Sequence, residues 1–432
     1  VSDDRFERLE RIFGVAIDLA DPARAQYLDE ACGDDSDLRR SVDSLLAHGN
    51  TGGEFIRNAV ESASPVAGYA PGQLIDNYVL EKELGRGGMG EVWLAKQTTP
   101  IRRLVALKLI KAGMDTREVI ARFEAERQAL ALMDHEAVAR VHDAGATAEG
   151  RPYFVMEHVD GLPITRFCDE QRLDLRRRLE LFIRVCEGVQ HAHQKAVLHR
   201  DLKPSNILVA VQDNRYLPKI IDFGVAKASG PRLTDQTFMT EHGLLIGTPE
   251  YMSPEQAGLT GQDVDTRTDV YSLGAVLYEM LVGVRPFNTG SLRTAGPEEI
   301  RRYIREEDPS RPSTRVESLG DSAGDSAGQR RTVPEGLRRQ LRGELDWITM
   351  KALEKERDRR YESAAALADD VRRYLEHEPV VAGPPGRVYR MRKFVRRHRL
   401  AVTAVASLIL FLTVLTVSVS LQSVRIARAR DR

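Results

Sequence analysis

The tightest constraint on this chain lies between His199 and Gly224. It reads His199-Arg200-Asp201-Leu202-Lys203-Pro204-Ser205-Asn206, then Ile207-Leu208-Val209, and after a polar turn Lys219-Ile220-Ile221-Asp222-Phe223-Gly224. Pro204 lacks an N–H and forbids a continuous helix, so Asp201 and Asn206 belong to a loop. The two apolar triplets read as short strands joined through Asp213-Asn214. A loop carboxylate can accept a proton from a hydroxyl, and a nearby Asn and Asp can hold Mg²⁺ through oxygen. A lone Asp or Asn on a loop is ordinarily a turn residue. Here several such groups crowd one short stretch between apolar runs.

Upstream, Leu84-Gly85-Arg86-Gly87-Gly88-Met89-Gly90-Glu91-Val92 contains G-x-G-x-x-G. Backbone without Cβ can approach phosphates and bind them through N–H groups. The same glycines occur in dinucleotide-binding folds, where a helix should follow. Here strand-like Val92-Trp93 follows. Val105-Ala106-Leu107-Lys108 then brings one cation to the end of an apolar run, and a helix over 115–133 carries Glu124 and Glu126.

The order H-R-D-x-x-x-x-N then D-F-G, with the glycine loop and lysine before it, resembles the eukaryotic-like (Hanks-type) serine/threonine protein kinases, most closely the membrane-anchored bacterial ones. The resemblance covers roughly residues 78 to 377. It implies an α+β, two-lobed fold: a small β-rich lobe with helix C, and a larger, mainly helical lobe. It implies ATP and Mg²⁺ as cofactors and proteins bearing Ser or Thr as substrates. Asp201 is the implied base, Lys203 the group that neutralises the transferred phosphoryl, and Asn206 and Asp222 the Mg²⁺ ligands. Lys108 would hold the α- and β-phosphates and pair with Glu126, with Glu124 as the fallback. Leu84, Gly85, Arg86, Gly87, Gly88, Met89, Gly90, Val92, Ala106, Glu157, Val159 and Leu208 would enclose the nucleotide, and Met156 would be the gatekeeper. Gly247-Thr248-Pro249-Glu250-Tyr251-Met252-Ser253-Pro254-Glu255 resembles the substrate-binding end of the activation segment, with Ser253 in place of the usual Ala. Asp269 should bond the catalytic-loop backbone, Arg360 should pair with Glu255, and His193 and His199 should be packing residues. Arg200 beside the base suits a phosphate on Thr240, with Thr237 as a second site. Two rival readings are a pseudokinase scaffold and a small-molecule phosphotransferase. Retention of Lys108, Asp201, Asn206 and Asp222 argues against the first, and the peptide-platform segment against the second.

The rest of the chain is placed around this domain. Residues 1–60 read as a three-helix extension, with Asp21-Pro22 at a helix start, and 61–77 as a linker. Residues 288–343 are longer and more polar than the family's loop, with Asp321-Ser322-Ala323-Gly324 repeated as Asp325-Ser326-Ala327-Gly328, and read as a flexible insertion. A basic juxtamembrane segment, 378–399, precedes Leu400–Val424, an uncharged run long enough to span a bilayer. Residues 425–432 would be a short extracytoplasmic tail. The kinase domain would be cytoplasmic beneath a plasma or inner membrane, on a single-pass protein able to pair for trans-autophosphorylation. Relatives of this kind often carry a domain beyond the membrane helix, which implies that the 432 residues are a piece of a longer chain. The net charge of −1 gives no bias toward nucleic acid, and three scattered cysteines, Cys32, Cys168 and Cys186, support neither a disulfide scaffold nor a zinc site. The first 30 residues are charged throughout and do not read as a secretory signal.

Overall fold

The computed structural model describes residues 23–32, 39, 69–87, 90–110, 133–148, 150–223, 249–258, 264–287, 297–384, 386, 389, 391, 393 and 399–430. The chain divides into two compact units, 1–73 and 74–432. In the first, α1 (Ala23–Cys32) follows Asp21-Pro22 as expected, while the helices anticipated on either side lie outside the described residues.

The second unit opens with β1 (Leu74–Ile75), inside the stretch expected to be linker, followed by β2 (Tyr78–Gly87), β3 (Gly90–Gln97) and β4 (Arg103–Ile110). After β5 (Val141–Ala146) and β6 (Pro152–Glu157) the six strands form one antiparallel sheet in the order β1-β2-β3-β4-β6-β5. Alternation sets its core face: in β3, Glu91, Trp93, Ala95 and Gln97 are buried and the residues between them are not. In β4 the run from Val105 to Ile110 is buried without alternation, as a central strand between two neighbours requires.

The chain then crosses into the large lobe. A small sheet of β7 (Leu162–Pro163), β8 (Ile207–Gln212) and β9 (Arg215–Ile220) lies beside α2 (Ile164–Glu170) and α3 (Leu175–Gln194). The two strands expected around Asp213-Asn214 are β8 and β9. Both turn residues have positive φ, the mirror-image turn whose twist matches paired strands. Asp174 caps α3 by accepting from Arg177 N–H at 2.9 Å. Next come the short α4 (Pro254–Ala257) and α5 (Thr266–Val282), capped by Asp265 and closed by Gly283 at φ +89°. From Thr268 to Val282 every residue of α5 but Glu279 is buried, so α5 is the axis of the lobe. Gly274 makes this possible on one side: a Cβ there would lie 2.8 Å from the Cβ of Ala352.

Residues 288–343 differ from the flexible insertion expected of them. Residues 288–296 lie outside the description, but the rest forms α6 (Pro297–Glu306), α7 (Pro312–Glu317), α8 (Ser322–Gln329) and α9 (Pro334–Leu341). The polar composition misled because the segment buries few but well-placed apolar residues, Val316, Ala327, Leu337 and Leu341, and spends its polar groups on backbone. Arg330, 2% exposed, donates to the carbonyls of Leu281 at 2.6 Å and Met280 at 3.1 Å, and Ser326 donates to that of Val282. Those are the orphan carbonyls at the C-terminus of α5. Fully buried Arg178 of α3 adds a bond to Met280 O at 3.2 Å and pairs with Asp169 at 2.8 Å. A cation at a helix C-terminus is also favoured by the helix dipole.

Beyond them α10 (Glu344–Ala352) and α11 (Ala364–Leu375) complete the lobe, and α12 (Arg399–Arg430) ends the described chain. Helix α12 runs through 425–430, so the expected short tail is helical there. Its described side chains are those of 403 and 405–419, and the large apolar ones among them are 49% to 66% exposed. Among the described residues no helix is long and apolar enough to cross a membrane.

Arg330→Met keeps the bulk but strands several buried carbonyls. It should lower the unfolding free energy by about 2–4 kcal/mol, read from urea denaturation. A loss within error of zero would mean that Arg330 is not the cap of α5.

Candidate active site

The site lies where β3, β4 and β6 of the small lobe face β8, β9 and the loop before β8. Its upper wall begins at the glycine loop. Gly85 pairs with Val92, and Val92 pairs in turn with Lys108. Gly90 sits at φ +142°, and a Cβ there would fall 1.9 Å from Leu109 O, so only glycine lets β3 approach β4 at this point. Ala106 is buried between its cross-strand partners Leu94 and Met156. Leu84 is exposed at the rim, while Val92, Glu157, Val159 and Leu208 are half-buried around the same cleft. Arg86 pairs with Glu83 at 3.0 Å. Glu157 uses its side chain behind the cleft, accepting from Lys219 at 3.0 Å and from Arg140 N–H at 3.2 Å.

Lys108 and Asp222, 114 residues apart, form an ion pair across the cleft, with the lysine buried. Asp222 holds φ +62°, a left-handed conformation that costs a non-glycine residue about 1–2 kcal/mol. Across from it, Lys203 reaches Asp201 Oδ2 at 2.9 Å, and Asn206 Nδ2 donates to Asp201 O at 2.9 Å and to Oδ2 at 3.3 Å. The short 3₁₀ turn Pro204–Asn206 sets this spacing, starting on the proline that excluded a helix.

The loop is held from beneath. Asp269, fully buried on α5, accepts from His199 N–H at 2.9 Å, Arg200 N–H at 2.8 Å and His193 Nε2 at 2.7 Å. Burial alone would raise its carboxyl, but the bonds from His193 and His199 outweigh that and hold it below its ordinary value. The same bonds keep Arg200 at φ +61°. Burial pushes the His199 imidazole down and so leaves it neutral. Its Nε2–H donates to Ile221 O at 3.1 Å, its Nδ1 accepts from Asp201 N–H at 3.3 Å, and its ring lies 4.7 Å from that of Phe223. His193 and His199 are thus packing and positioning groups. Glu255 and Arg360 form the expected pair, with two bonds of 2.7 Å each.

The donor set fits Mg²⁺. Asn206 and Asp222 offer hard oxygens, and Asn206 spends its amide nitrogen on Asp201. Two protein ligands are what Mg²⁺ takes when substrate phosphate and water complete its octahedron. Among the described residues no cluster of three or more His, Cys, Asp or Glu could hold a metal ion.

Several expected site residues lie outside the described residues: Gly88 and Met89 of the glycine loop, Glu126 with its fallback Glu124, and Thr237, Thr240 and Thr248 of the activation segment. One positioning residue went unread in the sequence. Ser253 and Gln256 form a capping box on α4, and Gln256 Nε2 also donates to Arg200 O at 2.8 Å. The signal was present as Ser-Pro-Glu-Gln, the S/T-x-x-E/Q pattern of a helix start.

A small β lobe, a helical lobe on a buried axis, and a lysine–aspartate pair facing an Asp-Lys-Asn loop are the architecture of a protein kinase domain. The chain belongs to the protein kinase domain family, whose profile matches residues 78–368. It is 35% identical over 315 residues to the serine/threonine-protein kinase PknB of Mycobacterium tuberculosis, covering 72% of this chain and 44% of that one. It is 38% identical over 235 residues to the serine/threonine-protein kinase Pkn1 of Myxococcus xanthus, covering 54% and 32%. The chain therefore spans less than half the length of these curated relatives. The crystal structure of the M. tuberculosis PknI kinase domain shares the fold, with a TM-score of 0.50 and 24% identity over 71% of this chain and 99% of that one. The two named relatives are both serine/threonine-protein kinases.

The ordinary carboxyl values are 4.5 for Glu255 and 3.8 for Asp269, and both groups are held below them. For Glu255, burial works upward and the bonds and charge of Arg360 work downward more strongly. The stability these two contribute is fully present above the ordinary values and is lost as pH falls through the depressed ones. Urea unfolding between about pH 6 and about pH 3 should show that loss. Glu255→Gln should be less stable at the upper end and fall less steeply. Parallel curves for the two proteins would deny Glu255 this role.

Proposed function

We propose that this chain transfers the γ-phosphoryl group of ATP to serine or threonine hydroxyls of proteins. The observation that carries the reading is the convergence of Lys108 and Asp222 with Asp201, Lys203 and Asn206 on one cleft. In the reaction the substrate oxygen attacks γ-phosphorus in line, the bond to the β–γ bridging oxygen breaks, and ADP leaves. Asp201 orients the hydroxyl and takes its proton. Lys203 offsets charge on the transferred phosphoryl, and Lys108 holds the α- and β-phosphates. Asn206 and Asp222 would hold Mg²⁺, which would neutralise phosphate charge when bound. Leu84, Val92, Ala106 and Leu208 form the apolar slot for adenine, with backbone of Glu157 and Val159 at its edge. Positioning and electrostatics supply most of the rate in such chemistry.

The chain is further read as a single-pass membrane protein with its kinase domain in the cytoplasm. The uncharged run Leu400–Val424, inside α12, supports this, as do seven Lys/Arg before it against four Arg after it. Leu408, Ile409, Leu410, Phe411 and Leu412 are consecutive and exposed, so apolar surface goes all round the helix, as lipid favours. Activation is by phosphorylation of Thr240 and Thr237, in trans between two copies. The charge of Arg200 beside Asp201 suits the phosphate.

With ATP, Mg²⁺ and a generic protein substrate, Lys108→Met, Asp222→Asn and Asp201→Asn should each lower kcat/KM by about 10²-fold or more, a loss of several kcal/mol of transition-state stabilisation. Circular dichroism should stay native. Near-normal turnover in any of the three would defeat its assignment. Phosphate on Thr240 and Thr237 should appear by mass spectrometry after ATP, and the double Thr→Ala protein should match phosphatase-treated wild type in its lower activity. Equal activity of untreated, treated and mutant protein would remove the switch.

A further inference from the structure

The segment expected to be a basic stretch between kinase and membrane is bonded to the large lobe. Three consecutive backbone N–H groups find side-chain acceptors. Val380 donates to the Tyr389 hydroxyl at 3.0 Å, Val381 to Asp370 Oδ1 at 2.5 Å and Ala382 to Asp370 Oδ2 at 2.9 Å. Asp370 is 1% exposed, and its other bond is from Tyr361 OH at 2.8 Å, so the carboxylate is consumed in holding this turn. Val380 is itself buried. Gly383 packs on the indole of Trp347, where a Cβ would come within 3.2 Å of the ring. Tyr389 meets the same indole edge-to-face at 5.7 Å between centroids. One helical turn later Lys393, only 6% exposed, pairs with Glu344 at 2.6 Å and stands 5.9 Å from the Tyr374 ring. A lysine buried in this way needs such a partner. The acceptors and rings belong to α10 (Glu344, Trp347) and α11 (Asp370, Tyr374). Val380, Val381, Ala382, Gly383, Tyr389 and Lys393 are therefore all held by the last two helices of the lobe.

We propose that Val380, Val381, Ala382 and Gly383, with Tyr389 and Lys393, are the docked points of a strap that fastens α12 to the large lobe, so that the kinase domain is carried at short reach rather than on a loose stalk. Between Lys393 and Arg399 stand residues 394–398. Six Cα-to-Cα steps, even fully extended, reach about 20 Å. With α12 in a bilayer, a placement that rests on the membrane reading above, the lobe stays close to the lipid surface. Its substrates are then proteins whose Ser or Thr lies near that surface, including a second copy of this chain.

Hydrogen exchange with mass spectrometry on the full chain, in vesicles of phosphatidylcholine and phosphatidylglycerol, tests the strap. In wild type the amides of 380–382 should exchange at least ~tenfold slower than in a free peptide of the same sequence. Tyr389→Ala and Glu344→Gln should return residues 378–393 toward the free rate while α3 and α5 keep their protection. Free-peptide exchange in wild type overturns the strap, and so does undiminished protection in both variants. Should a variant also lose protection in α3 and α5, the wild-type rate alone decides. Flotation of the same vesicles reads the membrane placement separately. A chain left behind by the vesicles with its strap protected loses the bilayer and keeps the strap.

Discussion

The carboxylate of Asp269 is the fixed point on which the catalytic loop is built. It sits without solvent on the axial helix α5 and accepts the N–H groups of His199 and Arg200 together with the His193 ring. An ionised carboxylate buried in this way is costly unless it is well bonded, and here three donors reach its two oxygens. The three donors also explain why a strained Arg200 backbone persists next to Asp201. The loop that positions Asp201, Lys203 and Asn206 is thus anchored directly on α5.

The anchoring of α5 itself runs through buried arginines. Arg330 and Arg178 occupy the C-terminal end of α5 and take up carbonyls that the helix cannot satisfy. Arg360 fixes the start of α5 from another side, bonding Arg267 O at 3.0 Å while it grips Glu255 bidentately. In each case a planar guanidinium serves more acceptors than the three donors of a lysine ammonium could reach. The segment from α8 to Arg330 thereby becomes a buttress of the axis.

The nucleotide cleft is built on a different principle. Its groups meet across the two lobes, and their main direct link is the Lys108–Asp222 pair. Asp222 is held at positive φ, and its carboxylate answers to the same lysine that ATP phosphates would claim. Backbone strain of this kind clusters at functional sites, which accords with the proposed metal-binding role of Asp222.

Much of this was legible in the sequence, because motif residues crowd short stretches where local rules govern. Pro204 excluded a helix, Asp213-Asn214 marked the hairpin, and the glycines with Val92 and Trp93 marked a strand rather than a helix. Asp269 and the Glu255–Arg360 pair were foreseen only through the family resemblance, since nothing local to 269 or 360 names its partner. What the tertiary structure alone decided concerns long-range polar burial. The Asp-Ser-Ala-Gly repeat looked too polar to order, yet Arg330 and Ser326 are ordered by carbonyls at the far end of α5. Lys393 stands among arginines in a stretch that reads as solvated, and only the Glu344 carboxylate and the Tyr374 ring make its burial possible. Composition records how much polar surface a segment carries. Whether that surface meets water or a waiting acceptor is settled by where the rest of the chain has folded.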